Sequence, residues 1–461
     1  MNKEKTLALL IGLLLWSFIP FFLGHDIAIT FSSYNYLGCL LFLVGIMFSL
    51  KGFSRNVFVF SPSFIAVTYI NLNFLIGSIV FQRELVFDFL LEPYQKWSNY
   101  NLVMGYFNLA NYAIIISFFF SSKISLSFKH KLICDLRKFS SGFLFLTGIL
   151  VIIPFVFFDV NLDFIGGEGS FSDIFRTIGA IILIVNIFSF SSLRKRLLFY
   201  FILLFCFSII SWEDKRDAIF LLLPILILES TRFRIKVDFK KVFLISVSTI
   251  AVLYLILVMS ITRGYGNFKA NNFAEASGYV LDYINSKDFI PGFMNNLEIS
   301  YTYMHSNNAV ERIIKEPDLL AYGETIIKPL FIFIPRSIYK NKPRSILHQY
   351  TYAFSKEYRN KGGSWTISFQ SEMFWNFSFF GIFVGGFFFY VFNIIYRQIL
   401  KLINNNNIIN YIPLLYFYEI LLVLFRGSGI DMFLIFVIIS STFFMLLKLN
   451  LKLIHGIVRK E

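Results

Sequence analysis

Charge is what this chain has least of. Asp, Glu, Lys and Arg make up 15% of 461 residues, against about 25% in soluble globular proteins. Cysteine is nearly absent, at three residues. That excludes a disulfide framework, and with no CxxC or His/Cys cluster the sequence carries no zinc pattern. P-loop, GxSxG, HExxH and GxGxxG signatures are missing in any usable context. The lack of a P-loop and of any soluble domain argues against an ATP-driven pump. What fills the chain instead is apolar: 57% of residues, with 61 Phe among them, against about 45–50% in globular proteins. No water-soluble fold of this length could hide that much apolar surface. The chain reads as a polytopic membrane protein.

Runs long enough to cross the hydrocarbon, about 20 mainly apolar residues each, number about twelve. They are Thr6–Gly24, Asn35–Leu50, Val57–Phe81, Tyr100–Phe120, Ser141–Phe158, Ile174–Phe190, Leu197–Trp212, the short Asp217–Leu228, Val242–Ile261, Phe374–Leu400, Ile408–Phe425 and Asp431–Leu449. The expected fold is all-α, a transmembrane helical bundle. The first run follows Lys3 and Lys5 but ends without an A-x-A cleavage pattern, so it reads as a retained span rather than a signal peptide. The formal charge of +14 would point to nucleic acid in a soluble protein. Here it sorts by side: with the N-terminus inside, about 23 Lys/Arg fall on cytoplasmic segments and about 6 on short external ones. The cytoplasmic segments include Ser122–Ser140, Arg194–Arg196, Arg232–Lys241 and the tail Lys452–Lys460, whereas the external connections His25–Tyr34, Gln82–Asn99 and Asp159–Asp173 are acidic. Both termini are expected inside.

One external connection differs from the rest. Residues 262–373 run without a spanning segment, dividing the chain into spans 1–9 (residues 1–261), this loop, and spans 10–12 with a cytoplasmic tail (residues 374–461). Inside the loop, Ala274–Asn285, Met294–Met304 and Asn308–Lys315 have helical periodicity. Thr325–Ile334 is apolar but too short to span, and reads as an interfacial segment. A transporter often shows matched halves; this loop has no counterpart.

Four arginines stand at the external ends of spans or in the loop: Arg216, Arg263, Arg336, and Arg426 in Arg-Gly-Ser-Gly. Short external turns are where cations are least expected, and a planar, always-charged fork suits phosphate oxygens. The set reads as a shared anion site; each taken alone reads equally as headgroup snorkelling or as pairing with Glu213, Asp214 or Asp431. Arg336, Lys340, Lys342 and Arg344 crowd between and after two prolines, Pro335 and Pro343, in what reads as a rigid turn. Glu419 is the one carboxylate well inside a span, about two turns before Arg426 on the same helix face; it lines a wet site or pairs with a cation of a neighbouring helix. Gly362 and Gly363 permit positive φ, and Glu372 follows where the chain re-enters the membrane, as a general base or a helix cap. Gly381 and Gly385 form a GxxxG packing face. Of five His, His305 and His348 are placed for external acid–base work, although a lone loop His is ordinarily just solvated.

These residues resemble a family. Tyr322-Gly323-Glu324-Thr325 through Phe333-Ile-Pro-Arg-Ser-Ile-Tyr-Lys-Asn-Lys-Pro343, the stretch Gly363–Gly386, and the edge arginines Arg216, Arg263 and Arg426 resemble the Wzy-type O-antigen polymerases, polytopic inner-membrane glycosyltransferases with a large periplasmic loop late in the chain. The hydropathy likeness covers nearly the whole chain and the motifs about a third; Lys215-Arg216 departs from the small-residue pattern of related ligases. The resemblance implies an undecaprenyl-pyrophosphate-linked oligosaccharide as donor and acceptor at the periplasmic face. It implies a lipid pyrophosphate leaving group held by Arg216, Arg263, Arg336, Lys342, Arg344 and Arg426, with Glu419 in the same site. Glu372 would be the base, with His348 as second choice. It implies no cofactor and no metal, membrane lipid around the chain, a chain-length regulator as candidate partner, and no nucleic acid. O-antigen ligase and lipid-linked oligosaccharide flippase stand as alternatives. The short loops usual in flippases speak against the latter, and the lack of a dominant intramembrane His speaks against a membrane O-acyltransferase.

Overall fold

The computed structural model describes residues 3–49, 58, 60–121, 141–157, 171–210, 222–229, 254, 257–258, 260–262, 268–270, 273–331, 334, 337–403 and 411–458. Every regular element among them is helical. In chain order the α-helices are α1 (Lys3–Phe18), α2 (His25–Ser49), α3 (Pro62–Gln82), α4 (Asp88–Gln95), α5 (Tyr100–Ser121), α6 (Ser141–Phe157), α7 (Phe171–Phe188) and α8 (Leu193–Ile210). There follow α9 (Phe273–Gly278), α10 (Val280–Ile284), α11 (Phe289–Asn296), α12 (Ile299–Lys315), α13 (Glu324–Ile327), α14 (Ile346–Phe354), α15 (Lys356–Asn360) and α16 (Phe369–Phe377). The last three are α17 (Gly381–Ile403), α18 (Tyr411–Phe425) and α19 (Ile430–Val458). Among the described residues, three stretches are long and apolar enough to cross a membrane: Pro62–Gln82, Tyr100–Ser121 and Phe369–Lys401. The twelve-span count reduces to this at its firmest. Of the eighth run, Asp217–Leu228, residues 222–228 are described and helical; the ninth, Val242–Ile261, falls largely outside the described residues, as do the loops Ser122–Ser140 and Arg232–Lys241 and most of Asp159–Asp173.

The chain gathers into two compact units. The first comprises residues 1–117, 235–322 and 350–387, so most of the long loop clusters with spanning helices rather than forming a body of its own. Its centre is α12, which packs against α3, α4, α11 and α16. Twelve of the seventeen residues of α12 are buried, polar ones included. Sequence periodicity divides this stretch between Met304 and Asn308; the helix is in fact continuous. Tyr303 explains its depth: its ring meets Phe74 of α3 edge-on at 5.5 Å, approaches Phe81, and its hydroxyl shares a 2.7 Å hydrogen bond with Tyr100. A side chain at Gly77 would collide with Tyr303, so the glycine is what lets the two helices meet.

The end of α12 closes onto α5. The Glu311 carboxylate accepts hydrogen bonds from the backbone N–H groups of Ser98 and Asn99, one residue short of where α5 begins, and pairs with Lys315 at 2.9 Å. An acidic group there offsets the orphan donors and the positive end of the helix dipole.

The run read as a single tenth span is broken. Ser378 takes a φ of 52°, and a Cβ at Gly381 would lie 2.4 Å from the Met373 carbonyl oxygen, which is impossible in a continuous helix for residues eight positions apart. The chain turns sharply at Ser378–Phe380. Helix α16 lies instead against the middle of α5, where the Tyr106 hydroxyl donates to the Gln370 carbonyl at 2.7 Å and Gln370 Nε2 donates to Asn111.

The second unit comprises residues 118–234, 323–349 and 388–461. In it α6 pairs with α7, and α18 packs on α7 and α19. Arg196 and Glu229 form a buried bidentate pair, Nε to Oε1 at 2.7 Å and Nη2 to Oε2 at 3.0 Å. Planar fork on planar carboxylate is the geometry that makes a buried pair tolerable.

Candidate functional site

The motifs of the second unit converge where α18 hands over to α19. The Arg-Gly-Ser-Gly segment closes α18 with a reciprocal pair of backbone bonds, Gly427 N–H to Leu424 at 3.1 Å and Ser428 N–H to Val423 at 3.2 Å. Gly427 has a φ of 91°, the left-handed cap that glycine supplies without strain. Gly429 then has a φ of 96°, and a Cβ on it would sit 2.8 Å from Ile346, the first residue of α14. The turn that begins with Arg426 is therefore pressed against the start of the helix that carries His348. Arg426 is half-buried.

A second strand of the loop is pinned to the same place. Lys328 Nζ lies 2.7 Å from Asp431 Oδ2, and both residues are buried. A lone cation in an apolar run calls for such a partner. Asp431, expected as an arginine's partner, pairs with Lys328 from residues 325–334. The sequence reading passed over Lys328; its isolation in Thr-Ile-Ile-Lys-Pro-Leu-Phe was the available signal.

Between these anchors the basic turn sorts its side chains. Lys342 is drawn inward, buried, with Nζ donating to the Ile334 carbonyl at 3.2 Å; it braces the turn. Lys340 and Arg344 point outward and are exposed. The Glu324 carboxylate holds the backbone of this turn, accepting from Arg344 N–H at 3.1 Å and from Gln349 Nε2 at 3.0 Å. Ser345 Oγ accepts from His348 N–H, starting α14 in the manner of an N-cap. The Arg344 guanidinium reaches His348 Nε2 at 2.7 Å. Gln349, like Lys328, was not among the residues singled out by sequence, and Glu324 entered there only within the Tyr322–Thr325 motif.

Glu419 is 1% exposed in α18, and neither carboxylate oxygen has a hydrogen-bond partner among the described residues. No ion pair to a neighbouring helix is found for it among the described residues. Arg216, Arg263 and Arg336 lie outside the described residues.

Glu372 belongs to the first unit. It is 1% exposed in the first turn of α16, eight of whose nine residues are buried. It is not the cap: Ser368 Oγ fills that position, accepting from Ser371 N–H at 3.3 Å.

His305 is not a solvated loop histidine. It is 1% exposed, with its ring stacked between Tyr301 at 5.8 Å and Trp365 at 5.0 Å. Tyr358 continues the column at 4.2 Å from Trp365. The Nδ1 atom is 2.9 Å from the Tyr350 hydroxyl, which accepts from Asn308 Nδ2, and Nε2 is buried without a partner among the described residues. Burial pulls the imidazole down to about 3, because charging it there would strip a cation of water.

No family model matches this chain, and no curated protein or solved structure matches it significantly.

Proposed function

We propose that this chain is a polytopic inner-membrane glycosyltransferase that polymerises undecaprenyl-pyrophosphate-linked oligosaccharide repeat units, an O-antigen polymerase, at the periplasmic face with both termini cytoplasmic. The observation that carries the reading is the convergence in the second unit. The Arg426 turn abuts the start of α14 through Gly429 and Ile346, Lys328 ties the apolar loop segment to the same junction, and Arg344 stands exposed beside His348. Departure of a lipid pyrophosphate calls for a cation and deprotonation of a sugar hydroxyl for a base, and Arg344 and His348 supply one of each within reach of a single turn. Arg216, Arg263 and Arg336 complete the anion site in this proposal. Of the two candidate bases, His348 is half-buried beside an exposed arginine, while Glu372 is enclosed with its helix. His348 is accordingly the base we favour.

Deletion of the coding sequence is expected to leave surface lipopolysaccharide bearing a single repeat unit. Loss of all O-antigen would point to ligation or flipping, and an unchanged ladder would end the proposal. Arg263→Ala, Arg336→Ala and Arg426→Ala are each expected to abolish the ladder with the protein still in the membrane. Removing one donor that stabilises developing negative charge typically costs about 3–4 kcal/mol. Full complementation by all three variants would remove the pyrophosphate site.

A further inference from the structure

The hydrogen bond between Arg344 and His348 sets a condition on the site. A guanidinium has only donors to offer and stays charged, so at 2.7 Å the His348 Nε2 atom must be the acceptor. The ring is then neutral, its proton sits on Nδ1, and the lone pair that would take a proton from a sugar hydroxyl is already occupied. Arg344 and His348 cannot serve an anion and a hydroxyl while they hold each other.

The way Arg344 is mounted gives the release. Its backbone is fixed, with its N–H on Glu324 Oε1 and its carbonyl accepting from Gln349 Nε2 at 3.2 Å. The Glu324 carboxylate is thereby spent on the backbone and on Gln349, and among the described residues no carboxylate pairs the guanidinium. Its side chain is exposed and its one hydrogen bond in the structure is to the imidazole. A phosphate oxygen is a stronger acceptor for a guanidinium than a neutral ring nitrogen, because the bond is charge-assisted on both sides.

We propose that Arg344 is a guard on His348, holding the Nε2 lone pair until a phosphate anion draws the guanidinium away. This rests on the glycosyltransferase reading. In that reaction the acceptor hydroxyl gives its proton to the freed Nε2. Its oxygen bonds to the anomeric carbon of the donor, and the bond from that carbon to the pyrophosphate oxygen breaks, with the electron pair leaving on the pyrophosphate beside Arg344. The base is exposed only when a donor is seated. Arg344 is thus a positioning residue for His348 as well as an anion ligand.

The test reads the lone pair directly. Diethylpyrocarbonate carbethoxylates an imidazole nitrogen whose lone pair is open. The full-length protein in detergent is treated at neutral pH with and without inorganic pyrophosphate, and modification of His348 is followed by peptide mass spectrometry against His25 and His305 as internal controls. Pyrophosphate is expected to raise the His348 rate several-fold in the native chain. R344A and R344Q are expected to react several-fold faster without pyrophosphate and to gain nothing from it. If both variants react at the native rate, the guard does not exist; if they are fast but pyrophosphate leaves the native rate unchanged, anion release is wrong. A misfolded variant is recognised by raised labelling of buried His305. The polymerase reading fails separately, by an unchanged ladder on deletion, and that result leaves the labelling outcome standing.

Discussion

At the scale of single residues, the sequence shows which side chains are costly in an apolar chain but not what relieves the cost. Arg344 and His348 were legible because cations and imidazoles are rare here. The Lys328–Asp431 pair was not, since its members lie 103 positions apart and each reads locally as an interfacial charge. His305 was misjudged for a related reason: a helix of polar residues with little mean hydropathy looks solvent-facing, yet α12 is buried through hydrogen bonds such as Asn307 to the Tyr303 carbonyl. Its burial has a measurable consequence. A free histidine takes up a proton near pH 6.5, while folded His305 resists until about pH 3. Between those values the unfolded chain binds a proton that the folded chain refuses. Stability is therefore complete above about pH 6.5 and falls on acidification by about 1.4 kcal/mol per pH unit within that window. Melting temperatures in detergent from pH 7 to pH 4 should show a steeper acid loss for the native protein than for His305→Gln. Parallel slopes would mean that some other group carries it.

At the scale of elements, helices with clean apolar runs were read nearly to the residue: Tyr100–Phe120 against Tyr100–Ser121, and Ser141–Phe158 against Ser141–Phe157. Two failures have physical causes. His25–Tyr34 was read as a connection because it is polar, but it opens α2. There Thr30 Oγ1 donates to the Asp26 carbonyl and Ser32 Oγ to the Ile29 carbonyl, so hydroxyls satisfied within the helix escape the polar signal. The tenth span was read as one helix because hydropathy does not register a turn made of Ser-Phe-Phe. Its close approach gives a sharp expectation. Gly381→Val places a branched side chain against the Met373 backbone, which cannot yield as a flexible side chain would. Overpacking of this kind costs about 1–3 kcal/mol. The variant should lose several degrees in thermal stability, whereas Gly278→Val, with open space around it, should lose less. Equal losses would mean that α16 and α17 do not meet as described.

At the scale of the whole chain, charge bias predicts an orientation that can be read chemically. With the three native cysteines replaced by alanine, a cysteine at exposed Lys340 should react with a membrane-impermeant maleimide in intact cells. One at exposed Lys195 should react only after permeabilisation. The reverse pattern would overturn the orientation and with it the periplasmic placement of the basic turn. The division into loop and spans was a statement about chain order. Contacts group residues 235–322 with the helices of the first unit.

The grip of Glu311 on the start of α5 also sets a schedule for synthesis. The donors it satisfies, at Ser98 and Asn99, leave the ribosome 213 and 212 positions before it does. At about 5–20 residues per second, α5 waits roughly 10–40 s with its first turn incomplete. During that interval the insertion machinery or a neighbouring helix must shelter that end, so the early half of this protein is finished by its late half.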